Sequence, residues 1–61
     1  MERVGDRVEL HPCTDDWMRG DRFGEVVKVD RNEEGVVWRV HVRLDKSNKV
    51  RRFAHDRVLD V

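Results

Sequence analysis

The 61-residue chain has a single cysteine, a single proline, no tyrosine and no net charge. With Cys13 alone, an intrachain disulfide and a multi-cysteine zinc site are both excluded, and a reducing, cytoplasmic setting is the expectation. Thirteen Lys and Arg residues balance thirteen Asp and Glu residues, so no global field draws the chain to nucleic acid or to an anionic membrane. Any such attraction has to come from a local patch. Apolar runs fall far short of the ~20 residues a membrane span needs, and Met1-Glu2-Arg3 does not open a signal peptide, so no membrane partner is expected. There is no Gly-rich phosphate cradle or dinucleotide fingerprint. Helical apolar periodicity is missing too, which argues against an α-helical or doubly wound fold.

What is present is alternation. In Val36-Val37-Trp38-Arg39-Val40-His41-Val42-Arg43-Leu44, the even positions are apolar, and Val37, Arg39, His41 and Arg43 take the odd ones. Side chains on a strand alternate between faces, so this run reads as one long strand with an apolar and a cationic face. A helix would scatter the same residues around its axis.

Shorter strands surround it. Met1 to Val4 reads as a lead-in and Gly5-Asp6 as a turn into a first strand, Arg7 to His11, which Pro12 ends by removing a ladder donor. Cys13 to Arg22 lacks alternation and is expected to be a loop of about ten residues, longer than the usual ~4–6. Trp17 and Met18 in its middle must fold back as a lid on the core or offer apolar surface to a partner. Phe23 to Asp30 is a second strand whose alternation fails at Val26-Val27, predicting a bulge that curls the sheet. Polar turns at Asn32 to Gly35 and Asp45 to Lys49 lead into the third strand and into a fourth, Val50 to Ala54. His55-Asp56-Arg57 has room for only one 3₁₀ turn before a last strand, Val58 to Val61. The plan is all-β: one domain, residues 1–61, forming a five-stranded SH3-like barrel with a long first loop and one 3₁₀ turn before the last strand. Its predicted core is Val8, Leu10, Val26, Val29, Trp38, Val40, Val42, Leu44, Phe53, Val58 and Val61.

Three stretches carry a resemblance: Gly5-Asp6-Arg7-Val8, then Gly24-Glu25-Val26-Val27-Lys28-Val29-Asp30, then Val42-Arg43-Leu44-Asp45-Lys46 with Phe53-Ala54. Their order and spacing are similar to subunit IV of the photosystem I reaction centre, which supports ferredoxin docking, and more distantly to the variable chain of ferredoxin–thioredoxin reductase. The first two also resemble a KOW-type element of ribosomal proteins and transcription factors. These families imply an SH3-like barrel. The chain departs from the photosystem family in its short turn at Ser47-Asn48-Lys49 and in having Trp38-Arg39 where that family tends to carry Tyr-Pro. Val50-Arg51-Arg52-Phe53 occupies the place of the substrate strand of type II dihydrofolate reductase. That strand needs a glutamine and a tyrosine where Arg51 and Phe53 stand, so the reductase activity does not carry over.

The residues that point to function are cationic. Arg39, His41 and Arg43 on the third strand, with Arg51 and Arg52 on its neighbour, are expected to form a patch suited to phosphate or carboxylate oxygens, and Trp17 to stack on an unpaired base or fill a partner's pocket. The competing expectation is that these arginines pair with Glu9, Glu25, Asp30 or Asp45 and merely solvate an outer sheet face. No catalytic set is evident: Cys13 with His11, His41 or His55 has no orienting third group and no convergent metal geometry. The expectation is a non-enzymatic binding module without cofactor or metal. Nucleic acid is one partner class, and an acidic protein, as the photosystem resemblance implies, is the other. Self-association through an open strand edge is a third possibility.

Overall fold

The computed structural model describes residues 3–61, so Met1 and Glu2 of the expected lead-in lie outside the described residues. Its elements run β1 (Arg7–Leu10), α1 (Asp15–Met18), β2 (Phe23–Arg31), β3 (Val37–Leu44), β4 (Val50–Ala54), a 3₁₀ turn (His55–Arg57) and β5 (Val58–Asp60). The strands form one antiparallel sheet in the order β4-β3-β2-β1-β5. Five strands, a long first connection and one 3₁₀ turn before the last strand match the plan read from the sequence. No helix among the described residues is long and apolar enough to cross a membrane.

The spine of the sheet is the β2–β3 ribbon, and its register slips twice. Val26 opposes Val42 but Lys28 opposes His41, which makes Val27 an extra residue on β2. This is the bulge the broken alternation predicts. Near the other end, Asp30 opposes Arg39 but Arg31 opposes Val37, which makes Trp38 an extra residue on β3. The second bulge corrects the sequence reading. Two successive residues of a bulge lean to the same side, so Trp38 joins Arg39 on the outside and Val37 takes the inner place. Trp38, expected in the core, is 47% exposed, whereas Val37, expected on the polar side, is 8% exposed. From Val40 onward the alternation holds: Val40, Val42 and Leu44 are buried, while Arg39, His41 and Arg43 carry the outer face.

Val8, Leu10, Val26, Val40, Val42, Leu44, Phe53 and Val58 form the core with Val37, and Val29 packs half-buried against it. Val61, also expected there, is 78% exposed. Period two explains the miss. Val58 pairs with Leu10 on the inner face, Val61 has the opposite parity, and pairing with β1 stops at Asp60. Gly24 sits between Val8 on β1 and Leu44 on β3. A Cβ there would lie 2.5 Å from Val42 Cγ1 and 2.6 Å from the Arg43 carbonyl oxygen, so the ribbon closes over the core only with glycine at this position.

The first connection is not a featureless loop. Thr14 caps a single helical turn, its hydroxyl accepting the Trp17 N–H at 3.2 Å and donating to the His11 carbonyl at 2.9 Å. The turn was hidden because four residues are too few to show a helical period. It also separates the Trp17-Met18 pair: Trp17 packs against the core, while Met18 is 73% exposed. Gly20, at φ +91°, reverses the chain after it.

Candidate functional site

Strand pairing divides the five predicted cationic residues between two surfaces. Residues directly opposite one another share a face. Lys28, His41 and Arg52 therefore form one outward row across β2, β3 and β4, with Arg7, Glu25 and Arg43 below it and Asp30 and Arg39 above. Arg51 opposes the buried Val42 and belongs to the other side, with Phe53. The expected five-residue patch is thus Arg39, His41, Arg43 and Arg52 on the outer face, with Arg51 elsewhere. The reason is alternation itself, which sends consecutive residues of β4 in opposite directions.

Acidic neighbours hold part of this outer face. Asp30 Oδ2 accepts from Arg39 Nε at 2.6 Å and lies 2.8 Å from His41 Nε2. The hydrogen bonds from His41 and then Arg39 take the Asp30 carboxyl from its ordinary 3.8 to about 2. Arg43 Nη2 donates to Glu25 Oε1 at 2.8 Å, and Arg7 reaches across to Asp45, holding that carboxyl below its usual range through the hydrogen bond. Pairing of Arg39 with Asp30 and Arg43 with Glu25 is what the solvated-face alternative expects. Lys28 and Arg52, however, make no ion pair among the described residues. Each paired guanidinium also keeps donors in reserve, since a single carboxylate contact uses only part of its five-donor fork.

The outer face also carries an aromatic that the sequence reading placed inside. Trp38 stands beside Arg39, whose guanidinium lies 4.5 Å from its ring centroid. Trp17, the aromatic expected to stack, is half-buried, and Arg22 covers one face of its ring at 4.0 Å. Its indole N–H is buried without an acceptor among the described residues. Trp38 and Lys28 were the residues missed. Lys28 could be recovered from the Val26-Val27 irregularity, which resets β2 parity. Trp38 left only a faint trace, the valine doublet Val36-Val37 that permits two alternation frames.

A second group gathers where the first connection meets the β3–β4 turn. Asp21 is buried, and its two oxygens accept the backbone N–H groups of Lys46 at 3.0 Å and Ser47 at 3.2 Å. Burial works to raise the Asp21 carboxyl, but the hydrogen bonds from the Ser47 side chain and from these amides outweigh it and hold it below the usual range. Asp16, also buried, accepts from Arg19 Nη2 at 2.5 Å, with Arg51 Nε 3.9 Å from its other oxygen. No protein-family model, curated protein or solved structure matches this chain.

Proposed function

We propose that the chain is a small SH3-like barrel that works by binding rather than by reaction, and that the outer face of β2, β3 and β4 contacts nucleic-acid phosphates. The strand order β4-β3-β2-β1-β5 supports the barrel assignment. The observation that carries the binding role is the Lys28–His41–Arg52 row beside the exposed Trp38–Arg39 stack. Three strands place Lys28 and Arg52 roughly 10 Å apart across the sheet, within reach of phosphates on a single backbone. Trp38 offers an apolar plane for an unpaired base, with Arg39 already against it.

Fluorescence anisotropy with single- and double-stranded oligonucleotides lacking terminal phosphates tests this. Binding is expected to be tighter for single strands, and to weaken between about 50 and 200 mM salt with a log–log slope of roughly −2 to −4, as neutralising three to five phosphates requires. Absence of salt-sensitive binding at high micromolar protein overturns it. Trp38 and the neighbouring Val36, both exposed, favour one alternative, docking of an acidic protein on the same face. A partner lost on Trp38→Ala, with oligonucleotide binding absent, distinguishes it.

A further inference from the structure

On the side of β4 opposite the outer face, a cleft of about 360 Å³ opens between the first connection and the β3–β4 turn, with Arg19, Lys46, Lys49 and Arg51 around buried Asp16 and Asp21. We propose that this cleft is a separate site for a small molecule bearing a phosphate monoester. The two carboxylates do not make it a cation site, because the chain's own cations and amides already face them. Asp16 faces Arg19 and Arg51, and Asp21 holds the Lys46 and Ser47 amides. Their effect is instead to fix the walls: Asp21 ties the first connection to the β3–β4 turn, and Asp16 holds the Arg19 guanidinium, with that of Arg51 at ion-pair distance. Arg19 spends one donor on Asp16, and the Lys46 ammonium donates to the Arg19 carbonyl at 3.3 Å and makes no ion pair within 4 Å among the described residues. Lys49 makes no ion pair among the described residues. Four cations against two carboxylates leave the lining positive, which favours a dianion over a monoanion. Guanidinium forks with ammonium groups opposite suit a tetrahedral oxyanion.

The test is a backbone-amide NMR titration of the intact chain near pH 7.5 at constant ionic strength, with inorganic phosphate, glycerol phosphate, dimethyl phosphate, acetate and chloride. Inorganic phosphate and glycerol phosphate are expected to shift Arg19, Lys46, Ser47, Lys49 and Arg51 saturably, and the three monoanions to bind more weakly. Lys49→Gln and Arg51→Gln each weaken phosphate about threefold, as loss of one exposed charge contact implies, whereas Arg57→Gln, exposed and outside both surfaces, leaves it unchanged. Both substituted side chains are exposed, and the dispersion of each variant's spectrum reports its fold. Linear shifts that are alike for all five anions, or undiminished affinity in both variants, overturn the proposal. Because the amides read here line the cleft and none belongs to the Lys28–His41–Arg52 row, and the oligonucleotides above carry no terminal phosphate, the two sites fail or succeed independently.

Discussion

Arg51 and Arg52 are neighbours in sequence and face opposite sides of the sheet. Arg52 stands in an open row with Lys28 and His41, on a face where Trp38 is exposed. Arg51 leans toward a buried carboxylate at the rim of a cleft. The first surface is broad, with its cations spread over three strands, and is the one proposed to meet a polymer of phosphates. The second is concave, with its walls pinned by Asp16 and Asp21, and suits one compact anion. A balanced net charge therefore conceals two local excesses of positive charge, separated by the thickness of the sheet.

The comparison rests first on the inner layer that keeps the two faces apart. Leu10→Ala is expected to cost ~2–5 kcal/mol, against a total stability of roughly 3–9 kcal/mol for a chain of this length. Gly24→Ala should cost ~1–3 kcal/mol, because Val42 and the Arg43 carbonyl leave no room for a Cβ. Urea unfolding followed by Trp fluorescence measures both, and a wild-type midpoint for either would break the assigned register. Next in size, the Lys28→Glu/Arg52→Glu pair is expected to weaken oligonucleotide binding about tenfold or more and to lower the salt slope by about 2.

A smaller effect separates the acids. Asp30 has its folded pKa depressed from 3.8 to about 2, so its contribution is complete above its unfolded value and is lost as pH falls through about 2. Stability should decline as pH drops below about 4, and Asp30→Asn should flatten that decline. The remainder comes from Asp21 and Asp45, which are lowered in the same direction. Denaturant midpoints of wild type and variant between about pH 5 and pH 2 decide it, and parallel curves would remove Asp30 from the account. Least of all, Arg43→Gln should change stability by under about 0.5 kcal/mol, as exposed ion pairs do.

Much of the fold was legible because alternation is a strong signal in so short a chain. Val40, Val42 and Leu44 against Arg39, His41 and Arg43 fixed the faces of β3, and the valine doublet in β2 announced its bulge. What escaped depended on tertiary context. The Trp38 bulge is fixed by the pairing with Asp30 and Arg31, and the Val36-Val37 doublet alone does not choose between the two alternation frames. The α1 turn is specified by one cap, Thr14, inside a polar stretch that reads as loop. The cleft joins Asp21 to residues more than twenty positions later, a long-range match that no local pattern encodes. Arg51 was legible in kind but misplaced, because it was grouped by charge and not by parity.

The most direct test sets the two adjacent arginines against each other: oligonucleotide affinity at low salt for Arg51→Glu and Arg52→Glu, measured side by side. A loss of about threefold or more in Arg52→Glu with near-wild-type affinity in Arg51→Glu is the predicted result. Equal losses in both, or a loss confined to Arg51→Glu, would contradict the proposal that the outer face binds nucleic-acid phosphates.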